Sequence, residues 1–489
     1  MRIAVAHLFA TGPVGSGGAP VHVGLQSIGS EPEPMQEWIC RPPGNIRRRL
    51  SDASRLDKAA LSDAPAWDVV ASSVREALTD YEVLYILGSG LERSWFEGIL
   101  PGYPGTRFVD LRRLVQFFLP NRDIDDLVAL CEMTVSGYRR RKPQLPFLIR
   151  LYRELLREIV EVVLTSDNER THPMYAWLTN ALHKGGPFDF RAVLDLVETA
   201  HELQWTDEYE LPQFSKPRLP RLWPPDGRGL LDHFRSFLPE PTDTKMAERA
   251  PLIPVKPDFL DAAFDGLRKR EKGDLRDRPA QRKYAHFFGN AFNDGGIYAA
   301  EAGTGTGKTL GYLVPACEFV RRNPGHKVLI ATATKTLQDQ VLHEELPRLT
   351  YEKGLHQDVS SAVLKGKGNY LCAGALADLH REVFASGSAD EMLGWLYLYI
   401  RLRFAEGTID DVPQALVKSF PILWSQLAEV NAEGACTSDQ CRVGIRCIYP
   451  TRLREALQAD VVVTNHHKLG LLPGALLERI AVLVVDEAN

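Results

Sequence analysis

Residues 302–309 read Ala302, Gly303, Thr304, Gly305, Thr306, Gly307, Lys308, Thr309. This is the spacing of a phosphate-binding loop of the Walker A kind, with alanine in place of the first glycine. Glycines at every second position let the backbone curl until its N–H groups converge on phosphate oxygens. A helix starting at Lys308 would add the positive end of its dipole. Lys308 can then reach the β- and γ-phosphates of a nucleotide, and the Thr309 hydroxyl can ligate magnesium. Far downstream, Asp486-Glu487 follows the apolar run Ala481–Val485. Carboxylates at the C-terminal end of such a strand have the Walker B form. Asp486 would meet the magnesium held through Thr309, and Glu487 would polarise the attacking water as a general base.

The separation of the two motifs implies an insertion, and that insertion carries four of the seven cysteines. Sixty-three residues separate Cys372 from Cys436, and Cys436, Cys441 and Cys447 are separated by four and then five residues. Four thiolates can hold a 4Fe–4S cluster or a structural zinc. Zinc sites usually join two close pairs, which a distant cysteine and a tight trio fit less well, and unrelated buried thiols remain a third alternative. Cys40, Cys131 and Cys317 lie in apolar contexts and read as core residues.

These groups must be positioned by a scaffold. From residue 257 onward the pattern is strand, glycine loop, helix, strand. Gly296–Ala300 leads into the phosphate loop, and Lys327–Ala331, Asp460–Thr464 and Ile480–Val485 are further β-rich runs. Four strands with helical crossovers predict a parallel sheet covered on both faces. Residues 1–200 form a separate α/β block, with strands predicted at Arg2–Ala6 and Val83–Leu87 and helices at Val70–Leu78 and Phe147–Leu164. Between them, residues 201–256 hold so many prolines that long helices and central strands are excluded, which reads as a linker.

Composition limits the partners. With 44% apolar and 25% charged residues the chain is of the soluble globular type. Its formal net charge of −5 supplies no global attraction for nucleic acid. DNA contacts would have to come from local patches such as Arg139–Lys142 or Arg268–Arg270, although short basic runs are more often solvated helix faces. No apolar run reaches the ~18 residues that span a bilayer, and Ile3–Ala10 reads as a strand rather than a signal peptide. The chain is expected in the cytoplasm, where clustered cysteines point to metal rather than disulfides.

Taken together, Glu301 before Ala302–Thr309, the run Lys365-Gly-Lys-Gly-Asn-Tyr-Leu-Cys372, the cysteine trio and Asp486-Glu487-Ala488 resemble the DinG/XPD type of superfamily 2 iron–sulfur helicase. The cysteine spacing is nearer to bacterial DinG. Arg278-Pro-Ala-Gln281 resembles the family's adenine-reading Q motif. Ala331-Thr332-Ala-Thr334, with Leu337 and Gln340, is similar to the motif that touches the DNA backbone. Thr464-Asn465-His466 resembles the segment before Walker B. The resemblance implies a RecA-like P-loop ATPase lobe over 257–489, with an iron–sulfur insertion at about 362–455 ligated by Cys372, Cys436, Cys441 and Cys447. It implies ATP, Mg2+ and a 4Fe–4S cluster as cofactors, and single-stranded DNA and duplex junctions as partners. It also implies 5′→3′ translocation, in repair or replication. Asn489 stands where the family has histidine. The expectation is that the second lobe and its arginine finger lie outside this chain, to be supplied in trans if they exist as a separate protein.

The N-terminal block resembles the DEDD-type, ribonuclease-H-like exonuclease domain found at the front of some DinG proteins. Val5–Gly12, Arg41-Pro-Pro43, Ala64-Pro65, Val109-Asp110 and Leu119-Pro120 occur in the matching order. That chemistry needs carboxylates for two metals. Here His7 and Phe9 stand at the first pair, Glu92 at the second site, and Trp177 follows His172 at the last. Such side chains predict an inactive nuclease. Three readings follow: the ATP-binding half of a DNA helicase, a DNA-binding fragment without ATP turnover, or a nuclease fused to an ATPase.

Overall fold

The computed structural model describes residues 3–28, 33–43, 58–86, 90–101, 108–118, 229–238, 248–249, 251–270, 277–303, 305–350, 356–404, 407–409, 412–419, 421–435, 441 and 447–488. The chain forms two compact units. One comprises Met1–Phe234 with Ala373–Val430, the other Arg235–Cys372 with Asn431–Asn489. The predicted helix at Phe147–Leu164 and the basic run Arg139–Lys142 lie outside the described residues.

The first unit is built on a five-stranded sheet of order β3-β2-β1-β4-β5. Its strands are β1 (Ile3–Ala10), β2 (Pro20–Ile28), β3 (Gln36–Ile39), β4 (Val83–Ile86) and β5 (Phe108–Asp110). The first three are antiparallel neighbours, whereas β1, β4 and β5 run parallel. Ala4, Val5 and Ala6 are fully buried on both faces, as a central strand requires. The β1–β2 connection depends on Gly18, where a Cβ would lie 2.6 Å from the Gly12 carbonyl. Helix α1 (Gly90–Ile99) packs Phe96 onto Phe108, and the Trp95 indole donates to the Gly12 carbonyl at 2.8 Å. Asp110 opens helix α2 (Leu111–Phe118) by accepting from the Arg112 N–H.

Helices Ala373–Ser386, Ala389–Phe404 and Pro421–Val430 complete this unit. The middle helix buries Trp395, Tyr397, Tyr399 and Arg401, so it is enclosed around most of its girth. Its Tyr397 ring meets Phe117 at 5.5 Å, and the Tyr399 hydroxyl is 2.7 Å from His233 Nε2 on the helix Leu230–Phe237. That short helix falls inside the proline-rich stretch.

The second unit holds a parallel sheet of order β7-β8-β6-β9. Its strands are β6 (Lys327–Thr332), β7 (Ser361–Val363), β8 (Val461–Asn465) and β9 (Ile480–Val485). All of β6 is buried, so its continuous apolar run fits a central position. Ahead of the sheet come helices α3 (Pro257–Arg270) and α4 (Pro279–Asp294), and α5 (Lys308–Arg322) follows the phosphate loop. Residues 257–489 thus supply a parallel α/β sheet, with one correction. The expected strand at Gly296–Ala300 does not form, and Ser361–Val363 is the fourth strand instead. Gly295 and Gly296 have φ of 68° and 103°, which breaks the extended run, and Ile297 and Tyr298 are exposed. A strand needs a neighbour to satisfy its backbone groups. Among the described residues none pairs with 297–300, while β7 finds one in β8.

Candidate nucleotide-binding site

The glycine loop owes its curl to two left-handed residues, Gly305 at φ 76° and Gly307 at φ 79°, where L side chains are strained. Gly307 is the N-cap of α5, so the helix starts at Lys308 as its sequence predicts. Inside the loop the Thr306 hydroxyl donates to the Gly303 carbonyl at 2.8 Å. Thr304 lies outside the described residues.

The start of α4 holds this loop from its side. Pro279 supplies a helix-ready first position. Arg278 Nη1 donates to the Gly305 carbonyl at 2.6 Å, and the buried Gln281 Nε2 donates to the Gly307 carbonyl at 2.9 Å. The proposed adenine-reading pair is therefore in contact with the loop itself. Helix α4 is fixed to α3 by Arg282, which bonds Asp261, Asp265 and Asp277. The hydrogen bond from Arg282 holds the Asp277 carboxyl below its ordinary value. The basic run Arg268–Arg270 ends α3 on an exposed face, and Arg268 lies 3.8 Å from Asp277.

At the other motif, Asp486 N–H donates to the Ala331 carbonyl, continuing the β6–β9 pairing one residue past β9. The side chain is held twice. Oδ2 accepts from the Tyr312 hydroxyl at 2.9 Å, and Oδ1 accepts from the Glu487 N–H at 3.0 Å. The His466 ring reaches the Asp486 carbonyl at 2.9 Å through Nε2. Glu487 is exposed and has φ 54°, among the described residues the only non-glycine residue with positive φ. Backbone strain of this kind collects at functional sites. Burial pushes the Tyr312 phenol far up, and the Asp486 charge and hydrogen bond push it further, while a hydrogen bond with Thr309 opposes them. The hydroxyl therefore stays neutral and donates to Asp486. Sequence reasoning missed Tyr312. The available signal was its place three residues after Thr309, on the same helix face.

The oxygen donors Thr309 and Asp486 suit a hard cation such as Mg2+. Among the described residues no three His, Cys, Asp or Glu side chains converge as on a metal ion.

The residues proposed for DNA contact lie at the end of β6. The Thr332 hydroxyl donates to the Thr334 carbonyl at 3.1 Å, and the Thr334 hydroxyl accepts from the Leu337 N–H at 3.2 Å, which starts the short helix Lys335–Asp339. Gln340 opens a π-helical turn, Gln340–Glu345, a rare form frequent at functional sites.

Of the proposed cluster ligands, Cys372 and Cys447 are buried, Cys441 is half-buried, and Cys436 lies outside the described residues. Two contacts draw their flanks together. Leu371 bridges to Asn431, and the Ala432 N–H donates to the Tyr370 carbonyl at 2.8 Å, which sets Cys372 beside the helix Ala432–Ala435 leading to Cys436. Tyr370 meets Tyr449 at 5.9 Å between rings, two residues from Cys372 and Cys447 respectively. Gly368 passes so close to Glu433 that a Cβ would lie 2.5 Å from its carboxylate. Among the described residues, Cys372, Cys441 and Cys447 do not come together as a metal-holding group. Cys40 and Cys317 are buried without a disulfide, and burial pushes both thiols up, to about 11 and about 12. Cys131 lies outside the described residues.

In the first unit, His7 Nδ1 is 3.1 Å from Glu92 Oε1, which also accepts from the Leu8 N–H at 3.0 Å. The structure thus joins two of the positions where the exonuclease resemblance asks for metal ligands. His22, 6.0 Å from His7 between rings, has its pKa lowered by burial and then by His7, against the pull of Glu37. His172 and Trp177 lie outside the described residues.

A phosphate loop and an aspartate at one end of a parallel sheet define a P-loop nucleotide-binding unit. Residues 281–374 match the DEAD/DEAH box helicase family. The ATP-dependent DNA helicase YoaA of Escherichia coli is 32% identical over 47% of this chain and 35% of its own length. The ATP-dependent helicase DinG of Mycobacterium tuberculosis is 31% identical, also over 47% of this chain and 35% of its own. The 3′-5′ exonuclease DinG of Bacillus subtilis is 30% identical over 39% of this chain and 20% of its own. The chain is thus similar over residues 281–374 to DEAD/DEAH box helicases and over a longer stretch to the DinG and YoaA helicases, spanning about a third of the length of the first two relatives. A solved 3′-exonuclease overlaps 32% of the chain at 12% identity with a TM-score of 0.27, a likeness too slight to argue from.

Proposed function

We propose that Arg235–Cys372 with Asn431–Asn489 is the ATP-binding lobe of a 5′→3′ DNA helicase. The observation that carries this is the Tyr312 hydroxyl, on the helix that starts at the phosphate loop, which donates to Asp486 at the end of β9. Lys308 neutralises the β- and γ-phosphates, and Arg278 and Gln281 couple adenine recognition to the loop they already hold. Glu487 takes a proton from the water that attacks the γ-phosphorus, as the bond to the ADP oxygen breaks. Magnesium, when bound by Thr309 and Asp486, supplies charge neutralisation on the phosphates. Thr332, Thr334 and Gln340 contact the backbone of single-stranded DNA.

Cys372, Cys436, Cys441 and Cys447 hold a 4Fe–4S cluster. The meeting of the Cys372 and Cys447 flanks at Tyr370 and Tyr449 supports this over unrelated buried thiols. Residues 1–200 form an exonuclease-like domain that is catalytically silent. The mixed sheet supports the likeness, and the His7–Glu92 pair supports the silence. No helix among the described residues is long and apolar enough to cross a membrane, and we place the protein in the cytoplasm. The deciding experiment measures ATP hydrolysis with and without single-stranded DNA, with the second helicase lobe present. DNA-stimulated hydrolysis abolished by Lys308→Ala is expected. Hydrolysis that survives Lys308→Ala sinks the reading.

A further inference from the structure

Tyr312 belongs to none of the motifs that led to the nucleotide site, yet its hydroxyl bonds Asp486, one of the residues that define that site. It lies on α5, one turn beyond Thr309, with its side chain buried in the core of the second unit. The hydroxyl donates to Asp486 Oδ2 at 2.9 Å. A buried hydroxyl with a charged acceptor is held firmly, because leaving the bond unmade would strand a buried polar group. Asp486 has no freedom left elsewhere, since Oδ1 accepts from the Glu487 N–H and the backbone is tied to Ala331 and His466.

A carboxylate that swings freely must lose rotamer freedom when it engages a cation. One already held by a neutral donor has lost that freedom before the cation arrives. The Asp486 ligand is thus set by a group that need not touch the ion. Phenylalanine at this position would keep the ring in the core and delete the bond.

We propose that Tyr312 is a positioning residue that presets Asp486 for magnesium–nucleotide. The inference rests on the nucleotide-site reading above. The test measures ADP affinity of the full chain by titration calorimetry, once in EDTA and once in excess magnesium chloride. The ratio of the two affinities is the gain contributed by the metal. Tyr312→Phe should leave ADP binding in EDTA unchanged and cut the magnesium gain about ten-fold, the size expected from loss of a hydrogen bond to a charged group. Thr309→Ala should abolish the gain. An undiminished gain in Tyr312→Phe overturns the proposal. So does an equal loss with and without magnesium, which would mark Tyr312 as packing only. If the unsubstituted chain binds ADP without any magnesium gain, the magnesium site and this inference fall together. If it binds no ADP at all, the nucleotide-site reading falls as well.

Discussion

The three glycines of the phosphate loop face different surroundings, and this predicts a graded response to alanine. At Gly303 the φ is unexceptional and a Cβ would meet nothing within 4 Å. Gly303→Ala should therefore change nucleotide affinity little. At Gly305, with φ 76°, space is again open, so only backbone strain remains. A left-handed non-glycine residue costs roughly 1–2 kcal/mol. At Gly307, with φ 79°, the strain is the same, but a Cβ would lie 2.1 Å from Gln281 Nε2 and 2.9 Å from its Cδ. Gln281 is buried and its amide donates to the Gly307 carbonyl, so it cannot move aside without losing that bond. A buried polar group left unpaired adds about 1–3 kcal/mol.

If the bound loop keeps this backbone, strain lowers the population competent to bind. Each 1.4 kcal/mol is then about ten-fold in affinity. Gly305→Ala should weaken ADP about ten-fold, and Gly307→Ala by about a hundred-fold. The assay is ADP affinity by fluorescence titration, since thermal unfolding of a two-unit chain mixes both transitions. The decisive comparison is a double-mutant cycle. In a Gln281→Ala background the clash has gone, so the Gly307→Ala penalty should shrink to that of Gly305→Ala. An equal Gly307→Ala penalty in both backgrounds would refute the reasoning.

Three further outcomes are expected. Anaerobically purified protein should be brown with about four irons per chain, and Cys436→Ser should bleach it, because three thiolates hold a cluster poorly; a colourless protein with stoichiometric zinc rejects the cluster. Single-stranded DNA incubated with the chain and Mg2+ or Mn2+ should stay intact, since His7 and Phe9 offer no carboxylates; digestion that disappears in Glu92→Gln would show a working metal site. Burial lowers the His380 pKa to about 4, between Phe384 at 4.5 Å and Trp395 at 4.9 Å. The unfolded imidazole takes its proton first, so stability should fall by up to about 3 kcal/mol between pH 6.5 and pH 4. Acid unfolding of His380→Phe followed by tryptophan fluorescence should lack this loss, and an unaltered profile removes His380 from the account.

What could be read from the sequence divides by range along the chain. The phosphate loop is built from eight consecutive residues, so its chemistry is local and its spacing alone discloses it. The strands at Lys327–Ala331 and Asp460–Thr464 were legible because a strand buried on both faces must be apolar throughout, and Ile480–Val485 was legible from its apolar run although this end strand is largely exposed. By the same rule Gly296–Ala300 looked suitable, but strand status is granted by a neighbour, and 297–300 has none among the described residues. Ser361–Val363 is too short and mixed to announce itself, and it is a strand only because β8 lies alongside. Tyr312 shows the same limit at the site. Its ring reads as core, which it is, while its hydroxyl answers to a carboxylate 174 positions away. The His7–Glu92 pair spans 85 positions, and Tyr399 meets His233 across 166. Spacing within a motif thus discloses which chemistry is available. The bonds that aim it are drawn between segments whose adjacency depends on the fold, which is why the positioning groups had to wait for the structure.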